Sequence, residues 1–182
     1  MVVPGNFTGA PAEDELPRDD SIVLTYFHVS DAAALTVVDT DPEHRRRFEF
    51  PDGFVPSLEH SARVISGWAR QREEGGPYVF AVRSLVDGKL VGGCEIRFLD
   101  QRTANLSYFT LPQHRRCGVA SSTVKLVCGI AFATLGVSRL EIVVDPDNIA
   151  SRRVAVRCDF RQIGTRNGQI LYAKDINPIL LS

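Results

Sequence analysis

The chain predicts a mixed α/β fold, one twisted sheet with helices on both faces, and three observations carry that expectation. Residues 106–145 run without a break through an extended segment, a basic glycine turn, a long apolar helical pattern and a strand rich in Leu, Ile and Val. This is the order of two parallel strands joined by a helical crossover. Asp87-Gly88 and Asn167-Gly168 each separate two extended segments, the strongest short hairpin signal, so antiparallel pairs belong to the same sheet. The helical pattern at 121–135 is apolar around most of its circumference, which implies a sheet on one side and further protein on the other. With 182 residues, 44% apolar and 24% charged, the composition fits one globular domain. It is taken as residues 21–182, behind a loose tail at 1–20 rich in Pro, Gly and acids.

In chain order, residues 22–29 are β-branched and aromatic and predict the first strand. Ser30 and Asp31 offer an N-cap to a helix at 32–38, and His28 is expected to be structural or solvated. His44-Arg45-Arg46-Arg47 reads as a solvated charged face. Ser57 opens a helix running to about Glu74, with Val64, Ile65, Trp68 and Ala69 on its apolar face. Strands are expected at 78–85 and 90–98, and Gly92-Gly93 in the second marks a bulge or a close approach. A strand at 105–111 stops before Pro112. A strand at 139–145, a short helix at 151–157 and a closing hairpin of 160–166 with 169–175 complete the sheet.

The turn at 113–121, Gln-His-Arg-Arg-Cys-Gly-Val-Ala-Ser, holds the chemistry. Gly118 and Ala120 leave the backbone of Cys117 to Ser121 unobstructed, so amides at the helix start can converge on an anion, with Arg115 and Arg116 beside them. Each charge-assisted hydrogen bond is worth about 1.5–3 kcal/mol, more than the helix dipole at about 0.3–1 kcal/mol. A diphosphate fits such a turn; so does a plain glycine turn with two solvated arginines. Neither Gly-x4-Gly-Lys-Ser/Thr nor Gly-x-Gly-x-x-Gly after a strand is present.

A formal net charge of −1 gives no reason to expect nucleic-acid or membrane binding through bulk charge. Cysteines at 94, 117, 128 and 158 form no Cys-x-x-Cys and no ligand-like spacing, so no metal is expected, and a reducing, cytoplasmic setting is. The most apolar stretch, 126–133, is too short to span a bilayer.

Arg115-x-x-Gly118-x-Ala120 resembles the Arg/Gln-x-x-Gly-x-Gly/Ala signature of the GNAT superfamily of N-acetyltransferases. Leu106 to Pro112 is similar to that family's fourth strand, and Asp145 to Ser151 followed by Cys158 to Phe160 to its fifth strand end and next helix. The combination is most similar to the ribosomal-protein alanine and serine N-terminal acetyltransferases. The resemblance implies a GNAT-like fold, acetyl-CoA as cosubstrate, and attack on its thioester by a primary amine of a protein N-terminus or a small molecule. By the same analogy the backbone of Phe109, Thr110 and Leu111 would hold the pantetheine arm. Arg115, Arg116, Cys117, Gly118, Val119, Ala120 and Ser121 would hold the pyrophosphate, with Asn148 lining the coenzyme side. Ser151 would act as general acid, since it stands nine residues before Phe160 as the family's serine does, although Asp159 replaces the glycine before that phenylalanine. Ser151 could equally be an ordinary capping hydroxyl.

For the base, many relatives carry glutamate where this chain has Asn105, and the closing-hairpin carboxylate is replaced by an apolar residue near Ile170. Glu95, Asp145 and Asp147 remain, with Glu95 preferred because the glycine pair opens space beside it; each could instead form a plain surface salt bridge. Tyr108 and Tyr172 are candidate proton donors. Relatives often pair through their C-terminal strands, and Ile179-Leu180-Leu181 fits a homodimer contact or simple packing. The alternatives are a catalytically weak acyl-CoA-binding sensor or structural module, and a binder of another nucleotide diphosphate.

Overall fold

Seven strands form one sheet in the order β1-β2-β3-β4-β5-β7-β6 in the computed structural model, which describes residues 9–176. The strands are β1 (Ile22–Tyr26), β2 (Tyr78–Ser84), β3 (Leu90–Phe98), β4 (Thr103–Thr110), β5 (Arg139–Val144), β6 (Arg161–Arg166) and β7 (Gln169–Asp175). Helices α1 (Ala32–Val38), α2 (Pro42–Arg47), α3 (Leu58–Glu73), α4 (Val119–Ala133) and α5 (Ile149–Arg157) flank it. All neighbouring pairs are antiparallel except β4 and β5, which are parallel. Both hairpins form, the first through a longer loop at 85–89 in which Gly88 takes positive φ (69°), the second through the expected two-residue turn. Asn167 and Gly168 both take positive φ, 50° and 80°, as a two-residue turn matched to strand twist requires.

Two apolar layers sandwich the sheet. One packs Leu24, Phe80, Ile96, Leu106, Leu140 and Ile142 against Val124, Val127 and Ala131 of α4 and Ala155 of α5. The other joins Leu35 and Val38 of α1 and Ile65 of α3 to Val79, Ala81 and Leu111. Lying between the sheet and α5, α4 buries seven of its residues, while Lys125, Gly129 and Ala133 form an exposed stripe, so the helix is covered on less of its circumference than its apolar pattern implies.

Several expectations change in detail. The first strand ends at Tyr26: the Asp31 carboxylate accepts from the His28 amide (2.9 Å) and from Arg83 Nη2 (2.6 Å), so residues 29–31 make a 3-10 turn and Asp31 does not cap α1 with its side chain. The α4 helix starts two residues early, with Gly118 as its N-cap. The α5 helix starts at Ile149, and its cap is Asn148, whose Oδ1 accepts from the Ser151 amide at 3.0 Å. Ser151 is therefore not the capping residue. Within the segment read as a loose tail, Leu16 is buried in the core and the Pro11 carbonyl accepts from Tyr26 Oη (2.8 Å). The 179–181 stretch lies outside the described residues.

Residues 42–47 depart most from expectation. Asp41 caps a short helix by accepting from the His44 amide, Pro42 occupies its first turn, and His44 is buried. Arg46 is exposed, as a solvated face implies, but Arg47 is mostly covered: Arg47 Nη1 reaches Asp145 (2.7 Å) and Asp147 (2.6 Å), and Arg46 Nη1 reaches Asp147 (2.7 Å). Three ion pairs thus tie α2 to the loop after β5.

Candidate active site

The two parallel strands pair over only three residues, Thr103↔Arg139, Ala104↔Leu140 and Asn105↔Glu141. Beyond that point β4 stays with β3 as far as Gly92↔Thr110, whereas β5 continues only with β7. Asn105 Nδ2 donates to the Glu141 carbonyl at the fork, at 3.4 Å. Leu111 N donates to Val91 O (3.0 Å), and Thr103 O accepts from Leu99 N (2.9 Å), so the odd-numbered residues of β4 direct their backbone at β3. By alternation the amides and carbonyls of Leu106, Tyr108 and Thr110 face the opening. Of the residues named for the arm, Thr110 faces it in this way; Phe109 and Leu111 turn their polar backbone to β3.

Both expected features meet at Gly92 and Gly93, a close approach by Phe109 and a bulge next to Gly92. A Cβ on Gly92 would stand 2.5 Å from the Phe109 carbonyl oxygen, and one on Gly93 would stand 2.6 Å from the Phe109 ring. The register of this hairpin shifts between Val82↔Gly92 and Arg83↔Leu90, which leaves Val91, next to Gly92, as the extra residue. Thr110 Oγ1 is buried without a hydrogen-bond partner, an orphan polar atom that a bound amide would satisfy.

After β4 the chain makes a single 3-10 turn, Pro112–His114, and bends sharply through Arg116 (φ 63°) and Gly118 (φ 85°) into α4. The amides of Val119, Ala120 and Ser121 have no acceptor within the helix. They front a groove of about 740 Å³ lined also by His114, Arg115, Arg116, Arg153 and Arg157. Unobstructed helix amides inside a ring of basic side chains suit a diphosphate. The Arg115 guanidinium is bonded to the Asp41 carboxylate, so it joins the turn to α2 as well as adding charge. Cys117 is exposed, and its thiol donates weakly to the Arg115 carbonyl at 3.5 Å.

Asn148 and Ser151 line the same groove with Tyr108. Tyr108 Oη and Ser151 Oγ are 2.7 Å apart. Burial pushes the Tyr108 hydroxyl up to about 12, and its bond to Ser151 opposes that only in part. Asp159, in the place of the family's glycine, takes φ 65°, so the tight turn into the following Phe160 keeps a left-handed residue.

The carboxylates considered as bases are engaged. Glu95 Oε1 accepts from Arg97 Nε and Nη2, both at 2.7 Å. Asp145 is held below the usual carboxylate range by Gln169 and then Arg47, and Asp147 is drawn down to about 2 by Arg47 and then Arg46. Tyr172 is buried in the core on β7.

A second cavity, of about 200 Å³, lies on the other face, between β3–β4 and helices α1 to α3. Its walls include His44, Phe48, Phe50, His60, Trp68 and Phe109, with Glu95 and Asp39 at its margins; His44, Phe48, Tyr108 and Phe109 also border the groove. The His44 ring sits 4.5 Å from Phe48 and 5.0 Å from Phe109. Burial pulls its imidazole down to about 4, and Asp41 opposes that shift. Burial raises Asp39 to about 6 against the attraction of His60 and Arg45. Neither Asp39 nor His44 was singled out from the sequence, although the Asp41-Pro42 start signal marks the helix that carries His44.

A parted parallel strand pair beside an amide-rich basic turn defines the fold of the acyl-transferring enzymes. A family model described as "Acetyltransferase (GNAT) domain" matches residues 21–161, and the chain belongs to that family. It is an acetyl-CoA-dependent acyltransferase. The uncharacterized N-acetyltransferase YoaA of Bacillus subtilis (strain 168) is 27% identical over 147 residues, 80% of this chain and 82% of that protein. A putative ribosomal-protein-serine acetyltransferase from Vibrio cholerae has a TM-score of 0.74 at 20% identity, covering 91% of this chain and 100% of that one. RimJ of Mycobacterium smegmatis, in complex with CoA-disulfide, has a TM-score of 0.72 at 22% identity, covering 85% and 81%. Among the described residues no helix is long and apolar enough to cross a membrane.

Proposed function

We propose that this enzyme moves an acetyl group from acetyl-CoA to a primary amine, of a protein N-terminus or a small molecule, by direct attack, with Tyr108 and Ser151 as the proton-donating pair. The observation that carries the reading is the 2.7 Å contact of the two hydroxyls at the opening between β4 and β5. Acetyl-CoA supplies the reactive thioester. Leu106, Tyr108 and Thr110 offer backbone partners for an extended arm, and Val119 to Ser121, with Arg115 and Arg116, offer the diphosphate site. Asn148 fixes the first turn of α5 and hence the Ser151 hydroxyl. Tyr108, with its hydroxyl protonated far above neutral pH, donates to Ser151, which leaves the Ser151 proton directed at the departing sulfur. Three buried cysteines and one exposed one, all free, support a reducing compartment such as the cytoplasm.

A catalytically weak acyl-CoA-binding module is the second reading, favoured by the engagement of Glu95, Asp145 and Asp147 with arginines. Thiol release from acetyl-CoA over a panel of primary amines separates the two. Turnover with an amine, reduced about 100-fold or more in Ser151→Ala, is the outcome expected of the enzyme. Tight coenzyme binding with no turnover over the panel would instead establish the module.

A further inference from the structure

We infer that the cavity of about 200 Å³ between α1, α2, α3 and the β3–β4 pair is the acceptor site and takes a compact primary amine built on a single aromatic or branched apolar group. This rests on the acetyltransferase reading above and narrows its acceptor from any primary amine to one class.

Size comes first. An apolar cavity of about 150 Å³ holds one benzene ring, so this one has room for a ring and a short aminoalkyl arm. Phe48, Phe50, Trp68 and Phe109 provide aromatic walls. A polypeptide entering here would bury peptide N–H and C=O groups against those walls, at a cost that a ring avoids.

Charge comes second. Asp39 is more than nine-tenths buried and lines the cavity. Among the described residues its carboxylate accepts no hydrogen bond, and the His44 Nε2 beside it, on an imidazole that burial keeps neutral, stands 3.6 Å away. A buried carboxylate left in this state favours an incoming cation or N–H donor. Glu95, His44, His60, Cys94 and Tyr108 are the other titratable side chains on the cavity wall, and Arg45 acts on Asp39 from beside it. Glu95 is already paired with Arg97, so the Asp39 carboxylate, the neutral His44 imidazole and the aromatic faces are what suit an ammonium group better than an anionic one.

Position comes third. His44, Phe48, Tyr108 and Phe109 border both the cavity and the groove. An amine with its apolar body against Trp68 and Phe50 directs its nitrogen to this shared wall, beside Tyr108.

Trp68 is the single tryptophan of the chain, so intrinsic fluorescence reports the cavity without any label. The titrant is phenethylamine, added to the full chain in the presence of coenzyme A, with 2-phenylethanol, spermidine, glucosamine and an alanine-initiated peptide alongside. A saturable change with phenethylamine is expected, at least 10-fold weaker for 2-phenylethanol. Val64→Phe, which narrows the cavity, should weaken phenethylamine at least 10-fold and leave coenzyme A affinity within about 2-fold. Asp39→Asn should abolish the preference for amine over alcohol. Coenzyme A binding confirms that each variant is folded. In acetylation assays phenethylamine should exceed the peptide, spermidine and glucosamine at least 10-fold in kcat/KM. Saturable fluorescence without acetylation of any amine would remove the enzyme reading and keep the cavity assignment. Acetylation of the peptide or a polar amine in preference, with no response of Trp68 to phenethylamine, would overturn the inference and keep the enzyme.

Discussion

Tyr108 on β4 and Ser151 in the first turn of α5 meet hydroxyl to hydroxyl, 2.7 Å apart, across the opening where β5 has left β4. Each is held from behind: Tyr108 by the β3–β4 ladder, where it pairs with Cys94, and Ser151 by Asn148. A donor pair fixed by two separate elements supports proton delivery without a search through rotamers.

Such a pair acts as one unit. Tyr108→Phe and Ser151→Ala should each lower kcat by about 10² to 10³ with little change in KM for acetyl-CoA. The double variant should fall only about as far as the worse single one. Multiplicative losses in steady-state thiol-release assays would mean that the two hydroxyls act independently.

The glycines of the site act for two different reasons. Gly92→Ala forces a Cβ onto the Phe109 carbonyl oxygen, so it should destabilise by about 1–3 kcal/mol through overpacking. Gly118→Ala meets no neighbour but strains φ 85°, at about 1–2 kcal/mol. Thermal unfolding should therefore rank Gly92→Ala below Gly118→Ala, while calorimetric affinity for acetyl-CoA should suffer more in the second. The reverse order of affinities would place the diphosphate elsewhere.

Arg47 bridges Asp145 and Asp147 from a side chain only 13% exposed. Removing it should free α2 from the β5–α5 loop and raise KM for acetyl-CoA, and Arg47→Lys should rescue little because an ammonium lacks the planar fork. The stability loss should stay near 1 kcal/mol per pair, since Asp147 is largely solvated. Raising ionic strength should narrow the KM difference between wild type and Arg47→Ala.

Asp39 and His44 impose opposite pH dependences on folding. The Asp39 carboxyl, raised to about 6 in the folded chain, contributes stability that is present below its unfolded value and lost as pH rises toward 6. The His44 imidazole, lowered to about 4, is buried neutral, so its stability is present above about 6.5 and lost as pH falls toward 4. The slopes offset one another in the wild type. In urea unfolding between pH 4 and 6.5, Asp39→Asn should gain stability with rising pH relative to wild type, and His44→Gln should lose it. The slope for each is at most about 1.4 kcal/mol per pH unit. Parallel curves for all three proteins would show that neither group is perturbed.

The alternation of strand and helix, the two Gly-containing hairpin turns and the basic turn before α4 were legible because each is written in contiguous residues. Glu95 illustrates a salt bridge written within one strand: Arg97, two positions on, shares its face and takes the carboxylate. Asn148 likewise stands three residues before Ser151, the spacing of a cap. The α2 contacts were not legible, since Arg47 finds its partners 98 and 100 residues away. The aromatic cavity draws its walls from three helices and three strands, and no single segment of sequence contains it. The Tyr108–Ser151 contact spans 43 residues, and only the family's spacing brought Ser151 forward.

Three residue pairs are all that stitch β1–β4 to β5–β7–β6 within the sheet. The fold is in that sense two half-sheets with a short seam, and a ligand lodged beyond the seam serves as mortar between them. Hydrogen exchange in the amides of Tyr108 and Thr110 should then slow when coenzyme A is added, because the ladder those amides lack is completed by the ligand. Filling the site and closing the sheet become one event.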